Sequence, residues 1–229
     1  MNLSETAFVL KEKPKTFSLR WFTPKVEVSL CGHATLATAA VLFYDIGISM
    51  DEISFETKSG TLIAKKDKDG ILLNFPIDDP VKIDSPHDLL NSMEITDFKN
   101  IVYAKKTRKL LIHLPDEKDV KNLKPNFELM KSITTKEEIR GVIITASSQQ
   151  YDFISRYFAP WVGINEDPVT GSAHTVLAPY WSKILEKKEM LAYQASSRGG
   201  TLTVRLTGND RVELIGRVVI VLKGELYLE

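Results

Sequence analysis

Asn165-Glu166-Asp167-Pro168-Val169-Thr170-Gly171-Ser172-Ala173-His174 places two carboxylates and a proline at the end of a loop. A glycine and small residues then open an apolar run, TVLAPYW, which reads as a helix. A helix start presents unpaired N–H groups and partial positive charge. The step is therefore either a plain cap or one wall of an anion site. Asp167 is either a charge that satisfies the helix dipole or a group that holds and polarises a substrate. The stretch is not a nucleotide P-loop, because no Gly-Lys-Ser/Thr follows.

A second step of this kind is Cys31-Gly32-His33-Ala34-Thr35, ahead of the apolar LATAAVLF. His33 is either a core or capping histidine or a proton-transfer group, since imidazole titrates near neutrality. Cys31 reads first as a small buried apolar residue. Its alternative is a thiolate activated by the helix start. Glu5, in Asn2-Leu3-Ser4-Glu5-Thr6, is an ordinary charge unless an apolar cleft raises its pKa into general acid/base range. Ser197-Arg198-Gly199-Gly200 is a turn, or an anion-binding loop if it reaches the site. His33, His87, His113 and His174 are scattered, with no HExxH or CxxC spacing, so no metal site is expected.

The elements that must position these residues form a repeat. Arg20-Trp21-Phe22-Thr23-Pro24 precedes the first glycine step, and Arg156-Tyr157-Phe158-Ala159-Pro160 precedes the second. Downstream, Gly60-Thr61-Leu62-Ile63-Ala64 runs through KKDKDG to Ile71–Phe75. Its counterpart, Gly200-Thr201-Leu202-Thr203-Val204, runs through LTGND to Arg211–Gly216. Both read as hairpins by alternation and turn residues. The interval from Gly32 to Gly60 nearly equals that from Gly171 to Gly200. Order and spacing agree as well as residue type, which points to two copies of one unit. The first unit is expected to span residues 1–97 and the second 98–229. Between them the chain predicts strands at Ile101–Ala104, Leu110–Leu114 and Gly141–Ala146, and a helix-like patch at KEEIR (136–140). If the copies face each other, Gly32-His33 and Gly171-Ser172 open into one cleft, where two helix starts grip a substrate carboxylate.

Thirty basic and thirty acidic residues cancel, which argues against nucleic-acid binding. No apolar run is long enough to span a membrane. The opening residues lack the pattern of a secretory signal. A single cysteine excludes an intramolecular disulfide and fits a reducing, cytoplasmic compartment.

Taken together, NLSETAFV, RWFTP, CGHATLATAAVLF, SRYFAPWVGINEDPVTGSAH and QASSRGG resemble the phenazine-biosynthesis-like-domain family, the PhzF-like isomerases, with the animal branch nearest. The resemblance covers essentially the whole chain. It implies an α+β, diaminopimelate-epimerase-like fold: two pseudo-symmetric domains, each a curled sheet around a central helix. It also implies chemistry without cofactor or metal on a small carboxylate-bearing substrate. Carried over, Glu5 is the general acid/base, while His33 and Asp167 assist by hydrogen bonding and orientation. Gly32, Gly171 and Ser172 hold the carboxylate, with Arg198 and Gly199 in the adjoining turn. Related two-thiol epimerases place cysteines before both glycine steps. Here Thr170 occupies the second position, so a two-thiol mechanism is not expected. The family begins with a strand and helix ahead of the Ser-Glu-Thr segment, whereas this chain starts at that segment. The expectation is an unpaired sheet edge, which favours a homodimer or a protein partner. A binding or regulatory protein on the same fold is the alternative to an enzyme.

Overall fold

The computed structural model describes residues 5–28 and 31–225. Alternation sets the first strands of the sheet. In strand β2 (Thr16–Phe22), Phe17, Leu19 and Trp21 are buried, and the residues between them face outward or lie part-buried. That period of two buries one face of a strand. β1 (Thr6–Lys13) lies antiparallel to β2, pairing Thr6 with Phe22 and Leu10 with Ser18. The short β3 (Glu27–Val28) pairs with the end of β2, after which helix α1 (Gly32–Ala40) begins. α1 buries small residues, among them Ala34, Ala39 and Ala40, and continues as a π-helical turn at Val41–Asp45. β4 (Glu52–Thr57) returns parallel to β2 and is followed by the antiparallel hairpin β5 (Gly60–Asp67) and β6 (Gly70–Pro76). The expected turn is present, with Asp69 N–H donating to Asp67 Oδ1.

The later strands repeat this plan with an extension. β7 (Val81–Lys82), helix α2 (His87–Ser92), β8 (Asn100–Ala104) and β9 (Lys109–His113) come first. Helices α3 (Glu117–Asn122) and α4 (Phe127–Ser132) follow, then β10 (Gly141–Ser147) and β11 (Phe153–Phe158). Helix α5 (Gly171–Leu185), β12 (Glu189–Gln194), β13 (Gly200–Thr207) and β14 (Arg211–Gly216) complete the set. The strand order β10-β11-β12-β13-β14 matches β1-β2-β4-β5-β6. In both, the strand carrying the Arg-aromatic-Phe sequence pairs antiparallel with the strand before it. It pairs parallel with the strand that follows the long helix. The sequence repeat is thus realised as a topological one. The same side chains recur too. Arg20 pairs with Glu27 and lies over the Phe22 ring, while Arg156 pairs with Glu166 and lies over Phe158.

By packing, the chain divides into two compact units. One runs to Leu73 and resumes at Ile215, and the other is Asn74–Leu214. The sequence boundary near Asp97 marks likeness between the copies; the packing borders fall inside β6 and β14.

In the second unit the sheet is covered on both faces, so β9 and β10 are buried at consecutive positions. Leu110, Ile112, Val142 and Ile144 join a core with Leu89, Met93, Val120 and Met130 of α2, α3 and α4. The opposite face meets α5: Trp181 Nε1 donates to Thr145 Oγ1 at 2.9 Å, and its ring stacks on Phe153. Pro179 sits inside α5 and lacks the N–H that would bond Thr175 C=O. Asp78 N–H takes that carbonyl instead, at 3.1 Å, so the proline leaves no buried acceptor empty.

The KEEIR patch is not helical. Ile139 is buried, Arg140 N–H donates to Arg108 C=O, and Tyr103 Oη donates to Glu138 C=O. These long-range bonds commit its backbone to the sheet rather than to a helix. The helices of this region are α3 and α4, capped by Asp116 and Asn126 side chains. Among the described residues, no helix is long and apolar enough to cross a membrane.

Candidate active site

Two helix starts carry the candidate residues, one in each unit. In the first, the β1–β2 register sets Glu5 just ahead of Thr6. Its side chain is 10% exposed, and Oε2 lies 3.1 Å from His33 Nε2. Of the two readings of Glu5, the structure shows a sheltered carboxylate. Cys31 occupies the N-cap of α1 in extended conformation, and its C=O accepts from Thr35 N–H and Thr35 Oγ1. Cys31 Sγ is 3.7 Å from His33 Nε2. Burial pushes the Cys31 thiol pKa up, and the neighbouring His33 offsets this only in part. The thiol is therefore the resting form. Among the described residues, the N-cap Cys31 makes no side-chain capping bond to α1, and no acid occupies its first turn. The N–H groups of Gly32 and His33 have no partner within the helix.

The second start is built the same way. Thr170 is the N-cap of α5, the position equivalent to Cys31. Its hydroxyl, which would ordinarily cap the helix, donates to Asp167 Oδ2 at 2.5 Å. α5 too has no side-chain cap and no acid in its first turn. Gly171 and Ser172 thus lead an open helix terminus. The two acids of the loop separate in role. Glu166 is held by a bidentate pair with Arg156, whose Nη1 also donates to Leu123 C=O. It anchors the loop. Asp167 accepts from Thr170, and its N–H donates to Tyr157 C=O.

Gln194 ties this junction together. Fully buried on β12, it accepts from Thr170 N–H at 2.7 Å and donates to Asp167 C=O at 2.6 Å. The QASSRGG turn is fastened to the same loop: Ser196 Oγ donates to Pro168 C=O and accepts from Gly199 N–H. Gly199 has φ +72°, and a Cβ there would stand 2.3 Å from Tyr193 Oη, so only glycine fits. Arg198 is exposed at the tip of this turn. The structure thus gathers Glu5, Gly32 and His33 in one unit. In the other it gathers Asp167, Gly171 and Ser172, with the turn of Arg198 and Gly199 bonded to their loop. His113 and His174 are core histidines, held neutral by burial with pKa values of about 4.

Sequence reasoning missed Lys109. It is only 6% exposed at the start of β9, with Nζ 5.5 Å from the centre of the Tyr157 ring. Gly141, its partner in register, has no side chain, which leaves room for Tyr157 Oη. Burial lowers the Lys109 pKa to about 8, although Asp78 and Asp167 pull it upward. In the unfolded chain the amine keeps its proton to about 10.5. Between about pH 8 and 10.5 the unfolded state therefore binds more protons, and stability rises with pH. Lys109→Met is expected to raise unfolding free energy at pH 7 by on the order of 2–3 kcal/mol. It should also flatten the rise above pH 8. Urea unfolding of both proteins across that range checks this, and a wild-type curve flat from pH 8 to 10 would refute it.

A family model described as phenazine biosynthesis-like protein matches residues 1–224. The chain is 48% identical to a mouse phenazine biosynthesis-like domain-containing protein 1, covering 99% of this chain and 85% of that one. It is 49% identical to a Halalkalibacterium halodurans protein named an uncharacterized isomerase, covering 100% of this chain and 84% of the relative. A crystal structure of a PhzF-family phenazine biosynthesis protein from Enterococcus faecalis superposes with TM-score 0.92 at 41% identity, covering 99% and 84% of the two chains.

Proposed function

Because the chain belongs to the phenazine biosynthesis-like protein family, we propose that it is a cytosolic isomerase that moves a proton on a small carboxylate-bearing metabolite without a cofactor. The fold is α+β and diaminopimelate-epimerase-like. The observation that carries the proposal is Glu5, a sheltered carboxylate within 3.1 Å of His33 beside an uncapped helix start. A carboxylate in such a position removes a proton from a carbon and returns it to another. His33 holds Glu5 in place by its ring nitrogen. The leading N–H groups at Gly32 in one unit, and at Gly171 and Ser172 in the other, each offer a place for an anion such as a carboxylate, because neither N-cap residue makes a side-chain capping bond. Asp167, fixed by Thr170, orients the substrate, with Arg198 and Gly199 in the adjoining turn.

The test is solvent-deuterium exchange into small cyclic and amino-acid-like carboxylates, read by mass spectrometry. Enzyme-dependent incorporation into at least one of them is expected. A folded protein that exchanges none across a broad panel overturns the proposal.

That result would favour a binding protein on the same fold. One observation supports this second reading. β1 pairs only with β2 among the described residues and exposes Phe8, Val9 and Leu10 by 59%, 41% and 65%. A strand edge of that kind suits a second copy of the chain or another protein.

A further inference from the structure

Cys31, His33 and Glu5 bring a thiol, an imidazole and a carboxylate to one point, with their donor atoms all within 4.8 Å of one another. We propose that this triad is a zinc site, with Cys31 Sγ, His33 Nε2 and Glu5 Oε2 as ligands and a fourth position open to solvent or a small anion. A tetrahedral zinc with such ligands has bonds of about 2.0–2.3 Å, so its donor atoms stand about 3.4–3.6 Å apart. The observed separations bracket that edge: 3.1 Å from His33 Nε2 to Glu5 Oε2, and 3.7 Å from His33 Nε2 to Cys31 Sγ. Side-chain shifts of under about 1 Å regularise them.

The donors are held before any ion arrives. Cys31 and His33 flank the first residue of α1, and the β1–β2 register fixes the strand that Glu5 precedes. Cys31 and Glu5 are shielded, while His33 is 36% exposed and leaves an entry path. Thiolate and imidazole select zinc over magnesium or calcium, which require several oxygen ligands. Scanning the sequence for histidine and cysteine spacing misses such a site. One ligand lies at residue 5 and two at 31 and 33, a pattern no local motif displays. On binding, Zn2+ forms a bond to Cys31 sulfur, and the thiol proton passes to the buffer. Zinc would also occupy the two groups assigned to proton transfer, so it should inhibit turnover. Only that consequence rests on the isomerase reading.

The experiment is titration of metal-stripped protein with Co2+, then displacement by Zn2+. Cys31 is the sole cysteine, so a sulfur-to-cobalt charge-transfer band reports this site alone. The expected result is one Co2+ per chain with that band, lost on adding Zn2+. Both Cys31→Ser and His33→Ala should weaken Zn2+ binding by at least about 100-fold, more than the roughly 10–100-fold expected for a merely supporting group. In the wild type, Zn2+ but not Mg2+ should protect Cys31 from iodoacetamide, a readout that holds even if a variant fails to fold. Absence of the charge-transfer band at saturating Co2+ would overturn the site. Deuterium exchange measured in chelator tests the isomerase reading separately.

Discussion

Glu5→Gln is expected to lower turnover by about a thousand-fold while changing KM little. Glutamine keeps the shape of glutamate and can still hydrogen-bond His33, so the 3.1 Å contact need not be lost. What it lacks is the ability to take a proton. Removing a general base costs roughly 10^2- to 10^4-fold, and a loss confined to kcat marks an interaction made in the transition state. The same substitution should abolish deuterium incorporation from solvent. Cys31→Ser provides the contrast. Burial keeps the Cys31 thiol protonated, so serine should retain most of the activity. The opposite pattern, an active Glu5→Gln and a dead Cys31→Ser, would move the base to the thiol. Thermal unfolding of both variants separates lost chemistry from lost structure.

How far this site was legible in the sequence depends on how local each signal is. Gly32 and Gly171 open helices as their apolar runs predict, and the two glycine-led hairpins form where the alternation places them. Such elements follow from residues within a few positions of each other. The burial of Glu5 was not legible, because it depends on a strand register and on a helix start twenty-eight residues away in the chain. Lys109 reads as one more surface charge after Arg108. Its burial follows from the glycine opposite it and from Tyr157 beyond, which only the sheet brings together. KEEIR has helical residue types, but its backbone is committed to Arg108 and Tyr103. The two helices formed nearby were signalled by Asp116 with Asp119, a capping box, and by Asn126. The paired acids Glu166 and Asp167 looked equivalent. Their difference lies in Arg156, ten residues earlier, which claims one and leaves the other to Thr170.

Gln194→Leu is expected to be the most damaging substitution outside the reacting groups. Gln194 is fully buried, and both ends of its amide are used. Oε1 accepts from Thr170 N–H, and Nε2 donates to Asp167 C=O and to Thr170 Oγ1. Leucine has similar volume but leaves a buried donor and a buried acceptor without partners. Each such group costs about 1–3 kcal/mol, so a loss of roughly 2–5 kcal/mol is expected. The functional effect follows from where those groups lie. Thr170 is the N-cap of α5, and Asp167 precedes it by one turn, so losing the clamp frees the carboxylate and the helix start together. Activity should fall even where the variant is still folded, with KM rising because the anion-holding N–H groups lose their fixed direction. Gln194→Glu sharpens the test: it keeps the acceptor for Thr170 N–H but cannot donate to Asp167 C=O while ionised. A buried charge facing an acceptor should make it at least as unstable as leucine at pH 7, with stability recovering as the pH is lowered and the carboxyl protonates. Denaturant unfolding and steady-state kinetics on the three proteins measure both effects. Wild-type stability and KM in Gln194→Leu would show that the loop holds Asp167 without the Gln194 clamp, through its bonds to Thr170 and Tyr157 and the Arg156–Glu166 pair.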